Sequence, residues 1–435
     1  MNRGERRGDE APRTPRAVGY PASMLDRERA SFACVLLGCA GVFGCGGAGG
    51  ASGAALEPES VGAEETGAES RPARDALSCR DGEWRGWLVA RGPVAGHGLA
   101  VDAEGGAHVV YTRSVRGELV YAERRDGAWT TTELAPDGAN ASIATSSGEV
   151  WVSSHEYESR SLVVARRVGD EWSRAVVDSP SGGLGRFGSD SSIATHEGAP
   201  SVAYYVRSGG GEEDELRYAT RSGSTGEWTV ETVDDAVEEA QGKPAPLLLM
   251  GPEGEAHVVH IGTRREDPPR LRPLLHARRG EAGWTSERID DVSSTEVGFE
   301  PSATIDASGG LHVTFHRHGA FDRERGFVDV VYATRAADGA WRSDRWDWPD
   351  HVGRVPLAID AAGRTHALSV GGAGETDQVM HSVGDGSGAW LRSTVAEEFV
   401  NQLRLSLAPS GEVHALYIQD GALMHAYRPP CDPPG

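Results

Sequence analysis

A unit of four short strands recurs along most of this chain. Residues 99–135, LAVDAEGGAHVVYTRSVRGELVYAERRDGAWTTTELA, predict strands a, b, c and d, separated by turns. The first half of the unit returns as SIATSSGEVWV, SIATHEGAPSVAYY, LLLMGPEGEAHVVH, ATIDASGGLHVTFH, LAIDAAGRTHALSV and LSLAPSGEVHALYI. A period of about 40–50 residues is typical of propellers, in which each unit is one blade. The repeat predicts an all-β fold, a seven-bladed β-propeller over residues 78–435.

Each copy has a glycine three residues before the first position of strand b. A tight a–b turn needs a residue that tolerates positive φ, and glycine does so without steric cost. Seven such glycines predict seven blades. They are Gly105, Gly148, Gly198, Gly254, Gly309, Gly363 and Gly411.

A tryptophan follows the c–d turn in six units, and the seventh lacks one. These tryptophans are Trp129, Trp172, Trp228, Trp284, Trp341 and Trp390. Residues 79–90, CRDGEWRGWLVA, supply a turn, Trp84 and a strand with no unit before them. We predict that this strand completes the last blade, which removes the open edges of the ring. An open array of separate sandwiches, the alternative, leaves that strand unexplained.

Closure by the two chain ends also brings two cysteines together. Cys79 and Cys431 both fall at the c–d hairpin of the last blade. In an oxidising, exported setting this placement predicts a disulfide. Such a bond would contribute about 4–5 kcal/mol in the chain-entropy model. The alternative is a pair of free thiols near mobile ends.

The amino-terminal region has the pattern of an export signal. Residues 31–43, SFACVLLGCAGVF, are apolar and follow Arg27 and Arg29. A stretch of this length is too short for a stable membrane span and is typical of a signal peptide. Residues 46–77 are rich in Gly, Ala, Glu and Ser and predict a flexible tether. The expected organisation is therefore 1–45 extension and signal, 46–77 tether and 78–435 propeller.

The end of that apolar stretch resembles the lipobox of bacterial lipoproteins. Val42, Gly44 and Cys45 match its aliphatic, small and lipidated positions. The resemblance implies lipidation of Cys45 and a membrane-anchored protein facing the periplasm or the cell surface. Cys39, after Leu-Leu-Gly, is a second match, and an ordinary cleaved signal is the alternative. Met24 begins a well-proportioned signal peptide, so either Met1 or Met24 is the start.

Charge and histidine placement limit the partners. The formal net charge of -22 repels a phosphate backbone, so we expect no nucleic-acid partner. Five strand-b starts carry histidine, but repeat positions are spread around a ring, whereas metal ligands must converge. We therefore expect no metal and no cofactor, and we assign these histidines to the scaffold. They are His108, His257, His312, His366 and His414.

The two faces of the predicted ring differ. The a–b and c–d turns, which share one face (the turn face), are short and uniform. The d–a and b–c loops share the other (the loop face), and three b–c loops are long and charged: 207–215, 262–273 and 317–327. Loop variation on a rigid scaffold is where function usually lies.

A different polar residue enters strand a of each blade on the loop face. Such a ring of donors and acceptors at the channel mouth suits a polar ligand, such as a sugar or a peptide. The alternative is that these residues are polar only because strand ends are exposed to solvent. The residues are His97, Asn140, Asp190, Lys243, Glu300, Arg354 and Gln402.

The c–d turns resemble degenerate Asp boxes of sialidase-type propellers. Residues 337–341, ADGAW, and 224–228, STGEW, carry this resemblance, although no copy has the full motif. In that family the boxes stabilise turns and do not catalyse. Arg354, in Gly-Arg-Val-Pro, resembles the first-arginine motif of the family but lies in the sixth blade. The other arginines and the nucleophile pair are not recognisable, so no catalytic residue is assigned.

These observations predict a surface lipoprotein that binds a glycan or an envelope or extracellular protein without catalysis. A sialidase-like glycoside hydrolase or lyase is the alternative, and a structural role in an envelope complex is a third. We expect a monomer that meets the membrane only through its lipid. The repeated tryptophans are expected to wedge between blades. The segment Trp346-Asp347-Trp348-Pro349, outside the repeat position, is expected to supply an exposed aromatic contact.

Overall fold

The computed structural model describes residues 84–429 with gaps. The gaps are 114–116, 126, 181–184, 208–213, 238–244, 263–272, 290–296, 318–328, 337–338, 347–353, 372–377, 385–389 and 398–399. Cys45, Cys79, Cys431 and Lys243 lie outside the described residues, as do the ranges 1–45 and 46–77. Lipidation and the disulfide therefore stay predictions. Within the described part there are 28 strands, and no helix there is long and apolar enough to cross a membrane.

The strands form seven antiparallel sheets of four, numbered here as blades in chain order. Blade 1 contains β2 (Val94–Val101), β3 (Ala107–Arg113), β4 (Glu118–Arg125) and β5 (Ala128–Ala135). Blade 2 contains β6 (Gly138–Ser146), β7 (Glu149–Glu156), β8 (Ser161–Val168) and β9 (Glu171–Asp178). Blade 3 contains β10 (Arg186–His196), β11 (Ala199–Arg207), β12 (Asp214–Arg221) and β13 (Trp228–Val237).

The remaining blades follow the same order. Blade 4 contains β14 (Leu247–Met250), β15 (Ala256–Ile261), β16 (Leu274–Gly280) and β17 (Gly283–Arg288). Blade 5 contains β18 (Val297–Ile305), β19 (Leu311–Arg317), β20 (Asp329–Arg335) and β21 (Trp341–Trp346). Blade 6 contains β22 (Leu357–Ile359), β23 (Thr365–Val370), β24 (Val379–Gly384) and β25 (Trp390–Ala396). Blade 7 contains β26 (Val400–Leu407), β27 (Val413–Gln419), β28 (Ala422–Arg428) and β1 (Arg85–Ala90).

The first strands of the blades close a ring. Each contacts the first strand of the next blade, and β26 of blade 7 contacts β2 of blade 1. The strand β1 pairs antiparallel with β28, placing Trp87 opposite His425. The prediction of a seven-bladed propeller whose last blade is completed by the amino-terminal strand is confirmed.

The a–b turn glycines have the conformation that the repeat predicts. All seven have φ between 75° and 90°, where a side chain would be strained. The turn of blade 5 shows what holds it: Asp306 Oδ1 accepts from the amides of Ser308 and Gly310, both at 2.8 Å. Its Oδ2 lies 3.0 Å from His312 Nε2, and His312 Nδ1 lies 2.5 Å from the hydroxyl of Tyr332 on strand c. We name this Asp–His arrangement the turn latch.

The turn latch recurs with one variation. In blade 1 it consists of Asp102, His108 and Tyr121. In blade 6 it consists of Asp360 and His366, and a second histidine, His381, replaces the tyrosine. The strand-b histidines thus act within their own blade, binding strand c rather than a neighbouring blade. Among the described residues no group of three potential ligands could hold a metal ion.

The repeated tryptophans pack between blades, as predicted. Trp172 of blade 2 lies edge-on to Tyr121 of blade 1, with ring centroids 4.9 Å apart. Trp84 of blade 7 is 3% exposed and lies edge-on to His381 of blade 6 at 5.3 Å. Its Nε1 donates to Ser393 Oγ at 3.2 Å. The amino-terminal segment of blade 7 therefore supplies the tryptophan that packs between blades 6 and 7.

Trp346 differs from the expectation. It is partly buried, stacks on Tyr332 at 4.7 Å and meets Trp390 edge-on at 4.8 Å. Trp346 extends the packing between blades 5 and 6 and is not an isolated exposed contact. Trp348 lies outside the described residues.

Candidate functional site at the loop face

The first strands are irregular near the loop face. In five blades the pairing of strand a with strand b shifts register beside a residue of the predicted polar ring. A bulge inserts an unpaired residue and re-aims its neighbours, which is common next to functional sites. At two of these bulges Asn140 and Gln402 adopt φ of 52° and 55°. The side chains of both are exposed.

His97 lies at the bulge of β2 and is 2% exposed. Its Nε2 lies 2.6 Å from the carbonyl oxygen of Gln402, so this nitrogen carries the proton and donates. Arg404 Nε in turn donates to the His97 carbonyl at 3.1 Å. Burial, helped by Arg404 and Arg354, lowers the pKa of His97 to about 3. The neutral imidazole ties blade 1 to blade 7.

Arg354 precedes β22 and also spans two blades. Its Nε and Nη2 donate to the carbonyl of Pro301 at 3.0 and 2.8 Å, which joins blade 6 to blade 5. Two of the predicted ligand-binding residues therefore already hold first strands together. Whether they also meet a ligand stays a prediction.

Asp190 lies on blade 3 and pairs with Arg207 of the adjacent strand. Arg207 Nη2 is 2.7 Å from Asp190 Oδ2. Burial raises the pKa of Asp190 to about 6, against the opposing effect of Arg207. The hydroxyl of Tyr205 is fully buried nearby, and its pKa is raised by burial and by Asp190.

The predicted ring is thus only partly assembled by the described residues. His97, Gln402 and Arg354 lie close enough to interact. Asp190, on blade 3, is not part of this group. Glu300 is on β18, and its side chain is outside the described part, as is Lys243.

Sequence reasoning missed a cluster between blades 2 and 3. His155, near the end of β7, is 2% exposed, and its Nδ1 donates to the Phe187 carbonyl at 2.7 Å. Its Nε2 is buried with no partner among the described residues. Tyr157 meets this imidazole edge-on at 5.2 Å and is 52% exposed. One aromatic residue in a short b–c turn gives no signal in the sequence.

The electrostatics of this cluster keep the histidine neutral. Burial lowers the pKa of His155, and the positive charges of Arg186 and Arg207 lower it further. The hydrogen bond to the Phe187 carbonyl raises the pKa, but by less. Arg186 is exposed at the start of β10. We refer to His155, Tyr157, Arg186, Asp190 and Arg207 as the Tyr157 patch.

The turn face also has a cavity, of about 180 Å³, between blades 6 and 7. Its wall includes Arg364, His366 and Arg428. Arg364 Nε donates to Asp360 at 2.6 Å, and Asp360 Oδ2 lies 3.2 Å from His366 Nε2. This cavity lies against the turn latch of blade 6.

Comparison with known proteins gives a fold and no family. No family model and no curated protein sequence matches the chain. The polysaccharide lyase Uly1 superposes with a TM-score of 0.51 at 10% identity, covering 78% of this chain and 90% of that one. The lectin of Aleuria aurantia has a TM-score of 0.46 at 12% identity, covering 70% of this chain and 97% of that one. At these identities the similarity is one of fold alone. The seven four-stranded sheets of this chain define its class as the seven-bladed β-propeller.

A subtype N10 neuraminidase-like protein (A/little yellow-shouldered bat/Guatemala) is similar at a lower level. It has a TM-score of 0.41 at 10% identity, covering 81% of this chain and 99% of that one.

Proposed function

We propose that this protein is an exported lipoprotein whose propeller binds a glycan through its loop face without catalysis. The observation that carries the proposal is the half-exposed ring of Tyr157, which packs on His155, an imidazole whose Nε2 has no partner among the described residues. Sugar rings present C–H edges that pack on aromatic faces, and their hydroxyls need donors and acceptors beside them. A mainly preformed site with a few convergent polar groups is typical of ligand recognition.

The contrast with the turn face supports this placement. There, in blades 1, 5 and 6, the aspartate and the histidine of the a–b turn bind each other in the turn latch, as Asp306 and His312 illustrate. On the loop face Tyr157 projects into solvent, and Arg186 is exposed beside it. The sialidase-like interpretation of the c–d turns gives them a role in the scaffold, which agrees with this division.

A glycan array with the full-length protein tests the proposal. Binding should be found on the array and should fall at least tenfold in Tyr157→Ala, a loss of about 1.4 kcal/mol or more. Leu391→Ala is the matched control, because Leu391 is 81% exposed on the outer strand of blade 6. A folded protein that binds no glycan, or that captures only a protein partner, would contradict the proposal.

Export and anchoring form a separate part of the proposal. The lipobox-like sequence before Cys45 supports it. Metabolic labelling with a fatty acid should label the wild-type protein and not Cys45→Ser, while Cys39→Ser keeps the label. Loss of the label only in Cys39→Ser would assign the lipid to Cys39. A protein that is never labelled would exclude a lipid anchor.

A glycoside hydrolase or lyase is the second candidate function. Two groups of the Tyr157 patch favour it: Asp190, whose pKa burial raises to about 6, and the unprotonated Nε2 of His155. Groups with pKa values near the working pH suit proton transfer. Release of sugar products from a bound glycan, abolished in Asp190→Asn with binding retained, would establish catalysis. Binding without any product would exclude it for that glycan.

A further inference from the structure

We propose that the Tyr157 patch recognises the carboxylate of an acidic sugar, with Arg186 as its main cation. This inference rests on the proposed glycan-binding function and specifies its ligand class.

The first observation is a pair of like charges. Arg186 and Arg207 are directly opposite each other in the pairing of β10 with β11. Like charges at such positions destabilise a sheet. Arg207 is neutralised by Asp190 at 2.7 Å, whereas no carboxylate of the described residues lies within ion-pair distance of Arg186. A bound anion would supply the missing charge.

The second observation is an unused acceptor beside this pair. Because a carbonyl can only accept, the 2.7 Å bond to Phe187 fixes the proton of His155 on Nδ1. The lone pair of Nε2 then faces no donor among the described residues, although the atom is buried. Leaving a buried polar atom unsatisfied costs about 1–3 kcal/mol. A sugar hydroxyl is the donor this nitrogen lacks.

The two observations belong to one surface because Phe187 joins them. Its carbonyl accepts from His155, and its amide donates to the Arg160 carbonyl at 3.0 Å. Arg186 is the residue immediately before it. The arginine and the imidazole are therefore held by the same short piece of β10.

Tyr157 decides access to the histidine. Its ring lies edge-on to the imidazole and is half exposed. We infer that a rotation of this side chain opens the imidazole to a ligand. Rotamer changes of this kind are common when proteins bind ligands. In the bound state the ring then packs on the sugar, while the arginine pairs with the carboxylate in the bidentate geometry that guanidinium groups favour.

The negative charge of the whole chain makes the position of Arg186 important for an acidic ligand. The chain has a formal net charge of -22, so an acidic glycan is repelled by most of the protein surface. Arg186, which forms no ion pair with the described residues, would direct such a ligand to one place. Its contribution should weaken with added salt, because the site is partly exposed.

The test uses calorimetric titration of the full-length protein with three probes: an oligogalacturonate, its methyl ester, and a sulfated oligosaccharide of equal length. Oligogalacturonate should bind at least tenfold more tightly than the ester, and Arg186→Ala should remove that difference, about 1.4 kcal/mol. Arg186→Lys should recover part of it. Arg342→Ala, an exposed arginine on β21, is the control and should bind like the wild type.

Each outcome is informative. Equal binding of acid and ester overturns the carboxylate assignment and leaves the glycan-binding proposal standing. Tighter binding of the sulfated probe would mean that the patch recognises sulfate, and it would also overturn the inference. Failure of all three probes, together with an empty glycan array, removes the proposed function itself. Loss of uronate binding in Arg342→Ala as well would show a general charge effect and no specific site.

Discussion

The two faces of this propeller use the same kinds of residue in opposite ways. On the turn face, Asp306 binds His312 and the turn backbone, and the arrangement recurs in blades 1 and 6. On the loop face, one ring nitrogen of His155 donates to the neighbouring blade, and the other has no partner among the described residues. Repetition marks side chains that serve the scaffold. Ligand binding is proposed for His155, which lies outside the repeated turn latch.

The comparison extends to the first strands. His97 and Arg354 lie at the loop face but bind carbonyls of adjacent blades. They show that polar residues at a channel mouth can also be structural. His97 also has a buried ring nitrogen with no partner among the described residues, so what distinguishes His155 is the half-exposed ring of Tyr157 packed against it.

The largest expected effect is on ring closure. Trp84→Ala removes a side chain that is 3% exposed and bonded to Ser393, so it should cost about 3–5 kcal/mol of unfolding free energy. Chemical denaturation followed by circular dichroism measures this. Leu391→Ala, on an exposed surface, should stay within about 0.5 kcal/mol. Equal effects of the two would mean that the last interface contributes little to stability.

The turn latch should have the next largest effect. Asp306→Ala leaves two turn amides and His312 without their acceptor, which should cost about 1–3 kcal/mol. Burial opposes ionisation of Asp306, but bonds from His312, Ser308 and the Gly310 amide outweigh it and lower its pKa from 3.8 to about 2. Its contribution is therefore complete above pH 3.8 and is lost as the pH falls towards 2.

Thermal melts of the wild type and Asp306→Ala between pH 2 and pH 7 test this latch. Their difference should shrink at the acid end. A difference independent of pH would contradict the assigned role of the carboxylate.

The strand-c partner of the strand-b histidine should set acid sensitivity. In blade 7, His414 Nδ1 lies 3.1 Å from His425 Nε2, where blade 5 has a tyrosine, Tyr332. Burial, helped by Arg124, lowers the pKa of His414 from 6.5 to about 4. The folded state thus prefers the neutral form, and stability is lost as the pH falls from 6.5 towards 4.

Exchanging these partners tests that explanation. His425→Tyr should move the acid-unfolding midpoint to lower pH, and Tyr332→His should move it higher. Acid titrations followed by tryptophan fluorescence measure both. Shifts of the same sign in the two variants would exclude the explanation.

The smallest effect on stability is expected at the Tyr157 patch. Tyr157→Ala should change the free energy of unfolding by about 0.5 kcal/mol or less, because the ring is half exposed. Glycan binding should nevertheless weaken at least tenfold, or about 1.4 kcal/mol. A large loss of stability in this variant would make the tyrosine part of the scaffold and weaken the distinction between the faces.

Much of the fold could be predicted from the sequence because the scaffold repeats. The turn glycines fix φ at equivalent positions, and Trp84 shows that a strand is missing from one end and present at the other. Both signals are local, so no tertiary information is needed to interpret them.

The site could not be predicted in the same way. The bulges beside Asn140 and Gln402 depend on pairing between strands, which the sequence does not state. Likewise, the opposition of Arg186 to Arg207 follows from the register of β10 and β11. Their separation of 21 positions in the chain carries no sign of that contact.

Hydrogen–deuterium exchange of the full-length protein with and without oligogalacturonate is the most direct test of the division between the faces. The ligand should protect amides in residues 154–160 and 186–190, and leave the turn of Asp306 to Gly310 unchanged. Protection centred on that turn, with none around Tyr157, would show that the turn face binds the ligand and would contradict the account.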